Sequence, residues 1–221
     1  MKLSQLYKPD GKRLTTMVVG RPGAGKSHFL RKTLMAHCRE VEDEHWRLVY
    51  VCPKQEMTLG EKDKPIGVEG LERHLRKNQT AVVYPDPEWV EAEVESVIAL
   101  LFAIGQANPD FSVTLVVDDA QVFLSSRRQA SPQFRRLART GRSKGVRAVF
   151  VSHSMIFNKD LEGSTSFIVN FSLPVKLYHK DAMTRYGFDF EPYVEPLAER
   201  EYSFVFFDVT KSRARLYEPI S

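Results

Sequence analysis

The sequence predicts an α/β domain built on a mostly parallel sheet with helices on its faces. Three observations predict it. Short apolar runs alternate along the chain with amphipathic stretches of helical spacing, the pattern of strand–helix–strand units. One run, Met17-Val18-Val19, leads through Gly20-Arg21-Pro22-Gly23-Ala24-Gly25-Lys26-Ser27 into a stretch in which Phe29, Leu30, Thr33 and Leu34 recur at helical spacing. Another, Thr114-Leu115-Val116-Val117, ends in a pair of acids, Asp118 and Asp119.

The 221 residues, 43% apolar and 27% charged, have the composition of an ordinary globular domain and the length for one packed core. The expected organisation is a single domain over 1–221, with a core at about 14–178 and a C-terminal extension at about 179–221. Cys38 and Cys52 are the only cysteines and lack metal-type spacing, so both read as reduced, inert thiols of a cytosol-like compartment. No N-terminal stretch resembles a signal peptide, and no run approaches the ~18 apolar residues of a membrane span. A soluble protein is expected, with docking on a membrane-bound partner left open.

Met1 to Arg13 is a polar lead-in. Leu14 to Val19 is the first strand, apolar on both faces as in the middle of a parallel sheet. The next helix is expected to run to about Arg39, with the acidic Val41 to His45 as a surface connection. Arg47 to Pro53 is the second strand, stopped by proline. Lys54 to Lys77 reads as an irregular excursion followed by a short helix from Val68, and Thr80 to Tyr84 as a brief strand. Asp86 then caps a helix with Pro87 at its first position and Val90, Val94, Val97, Ile98, Leu101 and Phe102 on one face. Asn108-Pro109-Asp110 closes it, and Ser112 to Val117 is the next strand. Ser131-Pro132 starts another helix, with Phe134, Leu137 and Ala138 inward and Arg135, Arg136 and Arg139 outward. Val146 to Ser152, Ser166 to Leu177 and Tyr202 to Val209 read as strands, and Arg213 to Tyr217 as a hairpin partner of the last. Tyr202, Phe204, Phe206 and Phe207 fit strand core better than a base-stacking platform, because their spacing suits a strand covered on both faces.

A strand–loop–helix with glycines at 20, 23 and 25 turns tightly and points backbone N–H groups inward at phosphate oxygens. The new helix adds its positive end to the same place. Residues Gly20, Arg21, Pro22, Gly23, Ala24, Gly25, Lys26, Ser27 and His28 are therefore the expected nucleotide-binding set. In it Lys26 reaches the β- and γ-phosphates and the Ser27 hydroxyl ligates Mg²⁺. Asp118, at the end of a buried strand, is placed to hold the same metal through water, and Asp119 to orient or deprotonate the attacking water. Two acids that simply terminate a strand are the plainer alternative, weakened by the loop. ATP is favoured over GTP, since no guanine-reading Asn-Lys-x-Asp motif is present.

From Ala120 to Asn158 there is no Asp or Glu, while Arg127, Arg128, Arg135, Arg136, Arg139, Arg142, Lys144 and Arg147 all fall there. In a chain of net charge +4 this makes a local positive field suited to phosphate backbones. A solvated basic helix or an acidic protein partner is the alternative reading.

The segment Thr140-Gly141-Arg142-Ser143-Lys144-Gly145-Val146-Arg147, running on to His153-Ser154, resembles the FtsK/HerA superfamily of DNA-pumping ATPases. With the loop and the paired acids, the resemblance covers roughly Leu14 to Ser154. It implies a RecA-like P-loop NTPase of the ASCE class, with a small C-terminal β appendage. It makes Arg142 the candidate arginine finger, reaching a neighbour's ATP, and His153 the candidate γ-phosphate sensor, where the family usually has glutamine. The second acid also departs from the usual glutamate, since Asp119 is one methylene shorter. The chain is short for the superfamily and lacks room for membrane spans or an added DNA-binding domain, so it most resembles the small packaging ATPases of membrane-containing, double jelly-roll icosahedral viruses.

The resemblance implies a ring, expected to be a hexamer, that uses ATP and Mg²⁺ to translocate double-stranded DNA without reading its sequence. Arg127, Arg128, Arg135, Arg136, Arg139 and Lys144 are the candidate DNA contacts. The expected setting is the host cytoplasm or the packaging vertex of a virion, with a capsid or membrane protein as docking partner. Two other readings stay open: a small-molecule kinase, disfavoured by the paired acids and the acid-free region, and a nucleotide-dependent assembly switch that turns over negligibly.

Overall fold

The computed structural model describes residues 15–41, 43–56, 64–122, 124, 130–153, 159–172, 187 and 189–220. These form one eight-stranded sheet. In chain order the elements are β1 (Thr15–Val19), α1 (Lys26–Glu40), β2 (Trp46–Val51), α2 (Leu71–Leu75), β3 (Thr80–Val83), α3 (Val90–Ala107), β4 (Ser112–Val117), α4 (Pro132–Thr140), β5 (Val146–Ser152), α5 (Lys159–Glu162), β6 (Thr165–Phe171), α6 (Glu191–Glu199), β7 (Phe204–Asp208) and β8 (Arg213–Tyr217). The strand order is β3-β2-β4-β5-β1-β6-β7-β8. The first six pair in parallel, and β7 and β8 continue the sheet antiparallel.

Strand residues alternate between two cores, as the period of two requires. Met17, Val19, Val49, Leu115 and Phe150 pack on one face beneath α3 and α4, with Val94, Ile98, Leu101, Phe134 and Leu137. Val18, Leu48, Tyr50, Val116 and Val149 face the other way, onto Phe29, Leu30 and Leu34 of α1. Every residue of β1 is buried, and β4 is buried from Val113 on. Both strands are inner members of the sheet, paired on both sides, so the site they carry stands on its interior.

The elements match the sequence reading in order, with differences at several ends, and α5 is a four-residue helix that the reading lacks. The helix expected from Asp86-Pro87 begins at Val90 instead. Asp86 closes its own turn, with its carboxylate accepting from Glu88 N–H at 2.8 Å and its carbonyl from Trp89 N–H at 3.0 Å. Its N–H donates to the Glu93 carboxylate at 3.0 Å, which ties that turn to the first turn of α3. Of the strand expected from Ser166 to Leu177, the structure has β6 to Phe171, and 173–177 lie outside the described residues. A helix that the sequence reading lacks, α6, has Pro192 in its first turn, where proline suits a helix, and forms despite Pro196 because Leu197 packs with Phe190 and Val205 in a small separate core. Burial there outweighs a weak propensity.

Candidate nucleotide-binding site

The site is built on the C-terminal ends of four adjacent parallel strands, the usual place for a ligand in an open α/β sheet. The loop from Gly20 follows β1, Lys54 follows β2, Asp118 and Asp119 follow β4, and His153 follows β5. They enclose a cleft of about 460 Å3 lined by Pro22, Gly23, Gly25, Lys26, Ser27 and His28 on one side and Lys54, Asp118, Asp119 and His153 on the other.

The loop is seated by backbone bonds: Gly20 N–H donates to Ser152 O at 3.2 Å and Arg21 N–H to Ser172 O at 2.8 Å. Gly25, at φ +96°, turns the chain into α1. That helix has no side-chain cap and no acid in its first turn, so its leading amides and positive end are left for an anion. Not all of the expected loop residues face the cleft. Gly20 and Ala24 are buried beneath it, and Arg21 contributes its carbonyl while its side chain lies on the far side.

Lys26 is buried, and its Nζ donates to Gly20 O at 2.6 Å and Arg21 O at 3.0 Å. Burial pulls its pKa down to about 8, against the opposing pull of Asp118 and Asp119. Its third partner is His153 Nδ1, at 3.1 Å. The other ring nitrogen, Nε2, lies 2.9 Å from Asp119 Oδ1. Desolvation and the neighbouring Lys26 both hold His153 below the usual histidine pKa, so the imidazole is neutral. Nε2 also lies 3.1 Å from Lys54 Nζ, so the ring stands between Lys26, Lys54 and Asp119, and a proton on Nε2 facing Asp119 leaves Nδ1 to accept from Lys26.

The two acids are tuned in opposite directions. Burial raises the pKa of Asp118, the nearby charge of Asp119 adds to the effect, and bonds from Asp119 N–H at 2.9 Å and Tyr50 OH at 3.0 Å only partly offset it. Asp119 is buried too, but hydrogen bonds from Lys54 and Gln121 outweigh that burial and hold it below the usual carboxylate range. Lys54 Nζ sits 2.9 Å from Oδ2 and Gln121 Nε2 3.0 Å from Oδ1. Asp119 also carries a left-handed backbone, φ +49°, uncommon for a non-glycine residue and a frequent mark of functional turns.

Sequence reading missed three members of this network: Lys54, Gln121 and Tyr50. Lys54 and Tyr50 become relevant only once β2 is known to lie beside β4. Gln121 stands two residues past Asp119, and its Oε1 accepts from His153 N–H at 3.3 Å, which ties the β4 and β5 ends together.

The basic candidates lie elsewhere. Arg142 is exposed in the turn that enters β5, at the edge of the sheet opposite the phosphate loop, and does not line the cleft. Arg136 is exposed with its guanidinium 4.4 Å over the Phe102 ring, and Arg139 is paired with Asp160 at 3.1 Å. Arg135 and Lys144 are half-buried, and Arg147 is buried within β5. Arg127 and Arg128 lie outside the described residues. Cys52 is buried at the cleft and Cys38 is half-buried. No described helix is long and apolar enough to cross a membrane.

No protein-family model and no curated protein sequence matches the chain. Solved structures do. The genome packaging NTPase B204 from Sulfolobus turreted icosahedral virus 2, in complex with AMPPCP, matches with a TM-score of 0.76 at 14% identity, over 97% of this chain and 100% of that one. The pCW3 conjugation coupling protein TcpA with ATPγS matches at 0.63 and 11% identity, over 94% of this chain and 60% of that one. The cytoplasmic domain of the Thermomonospora curvata type VII secretion ATPase EccC matches at 0.58 and 13%, over 93% of this chain and 25% of that one. The chain therefore shares the fold of these P-loop NTPases, a mostly parallel eight-stranded sheet flanked by helices, and shares it with the viral genome packaging NTPase over nearly the full length of both.

Proposed function

We propose that the chain is an ATP-hydrolysing motor that translocates double-stranded DNA, and that its task is to load a viral genome into a preformed capsid. The observation that carries the reading is the convergence of Lys26, Asp118, Asp119 and His153 on one cleft, within a fold shared end to end with a packaging NTPase.

In this reading the loop amides and Lys26 hold the phosphates. The exposed Ser27 hydroxyl and the Asp118 carboxylate fit a magnesium ion, which takes one or two protein oxygens and fills its shell with phosphate and water. When bound, the metal neutralises charge that builds on the phosphate oxygens. Asp119 orients the attacking water. Its low pKa makes it a weak base, and positioning is what phosphoryl transfer mainly demands. The carboxylate is filled by Lys54, Gln121 and His153, so nucleotide entry must free one oxygen of Asp119 before water can use it. His153, bonded to Lys26 and Asp119 together, transmits the state of the phosphates to the acid. Arg142 acts on the nucleotide of the adjacent subunit in a ring, which we take to be a hexamer, and the exposed arginines of α4 grip duplex phosphates. The motor works in the host cell or at the virion vertex, docked on a capsid or membrane protein.

The filled Asp119 also favours a second reading, a nucleotide-dependent assembly switch that does not turn over. Steady-state ATP hydrolysis with and without long duplex DNA separates the two. The motor reading expects stimulation by DNA, lost in Lys26→Ala. It expects Asp119→Asn to bind ATP and hydrolyse it about 10²–10⁴-fold more slowly. ATP binding without hydrolysis, DNA or no DNA, would leave the switch.

A further inference from the structure

Beside the phosphate cleft lies a second, apolar slot of about 320 Å3, and the two share Gly25 and His28. Its floor is a cluster of packed aromatic rings, with Phe29 and Phe204 centroids 4.9 Å apart. Its sides are Tyr202 and the segment Pro219-Ile220. His28 fixes that segment, with Nε2 3.1 Å from Ile220 O. A triphosphate on the loop has its α-phosphate end near the start of α1, so the rest of the nucleotide has the adjoining slot to enter.

Tyr202 stands apart from the other aromatics near the C-terminus. Phe204, Phe206 and Phe207 are buried in β7, as their spacing predicts. Tyr202 precedes the strand, is 55% exposed, and holds a left-handed backbone at φ +62°. It packs closely on the phosphate loop, since a Cβ added to Gly25 would lie 3.0 Å from its ring. One part of Tyr202 packs on the loop, and the rest of the ring stays exposed beside an open apolar slot, on a strained backbone. Among the described residues that line the slot, Tyr202 and His28 alone have polar side-chain atoms, and His28 Nε2 is engaged by Ile220 O.

We infer that this slot receives the base of the bound nucleotide by stacking on Tyr202 and by shape, without reading the base edge, so that the site takes adenine and guanine triphosphates with little preference. The inference rests on the reading that the loop binds a triphosphate. Strong discrimination needs polar groups that are left unpaired by the wrong ligand, and an apolar pocket cannot supply it. Stacking, by contrast, serves every base.

The test is calorimetric affinity of the full chain for ATP, GTP and inorganic tripolyphosphate, in wild type, Tyr202→Gly and Tyr202→Phe. Glycine suits the left-handed backbone, and thermal unfolding of Tyr202→Gly beside wild type separates a loss of affinity from misfolding. ATP and GTP should agree within about tenfold. Tyr202→Gly should weaken both by about tenfold or more while leaving tripolyphosphate unchanged, and Tyr202→Phe should bind as wild type. A larger preference for either base, or wild-type nucleotide affinity in Tyr202→Gly, would overturn the inference. If tripolyphosphate fails to bind wild type, or binds Lys26→Ala as well, the phosphate-loop reading fails instead.

Discussion

Lys26 is held at a pKa of about 8 by its burial, within reach of ordinary buffers. Only its charged form attracts phosphate, and a bound anion returns a neutral amine to the charged form by taking up a proton. The phosphates themselves are already ionised above pH 7, and His153 stays neutral there. ATP affinity is therefore expected to be flat near pH 7 and to fall by about tenfold per pH unit above pH 8. The break should vanish in Lys26→Arg, whose guanidinium does not titrate in this range. Affinity that stays level to pH 9.5 in wild type would contradict the assignment. At this scale the sequence shows what a motif carries and hides what strand order brings together. Lys26, Ser27, Asp118 and Asp119 are legible as candidates because local spacing along one strand and one loop marks them, and all four line one cleft. Lys54 is not, because it reaches Asp119 across two strands from positions 65 residues apart.

Elements built from regular periodicity are equally legible. The inward face of α3 and the burial of β1 and β4 follow from apolar spacing alone. What escapes is settled by competition between nearby groups. Asp86 closes a turn of its own in place of the helix cap, and α6 tolerates Pro196 because Leu197 is buried. The phosphate loop depends on a packing fact of the same kind. A Cβ on Gly20 would lie 2.6 Å from Cβ of Phe171, and neither atom is the end of a flexible side chain. Gly20→Ala should therefore cost about 1–3 kcal/mol of stability by overpacking. Because the strain falls on the loop, ATP affinity should drop with it, read by calorimetry beside thermal unfolding. Wild-type melting and affinity in Gly20→Ala would show that the loop does not need this close approach to β6.

For the whole molecule, the decisive relation is between the two edges of the sheet. The phosphate loop and acids stand at the C-terminal ends of the strands, whereas Arg142 stands where β5 begins. The seven residues of β5 separate these edges by about 20 Å, too far for an arginine to serve its own cleft. The proposed head-to-tail ring would bring one subunit's turn to the next subunit's cleft, and such contacts close by rotation. The basic region is also less uniform than its sequence suggests. Arg139 is neutralised by Asp160 and Arg147 is buried, so the surface field rests on fewer residues than the acid-free stretch implies. The central claim, a DNA motor whose sites are completed between subunits, is tested most directly by mixing two inactive variants in the presence of duplex DNA. Lys26→Ala lacks a working loop and keeps Arg142; Arg142→Ala keeps the loop and lacks the finger. Each alone should turn over at least ~10³-fold more slowly than wild type, and an equal mixture should recover up to about a quarter of wild-type hydrolysis, from interfaces that pair the two intact halves. A mixture as inactive as its components, although the subunits co-assemble, would contradict it.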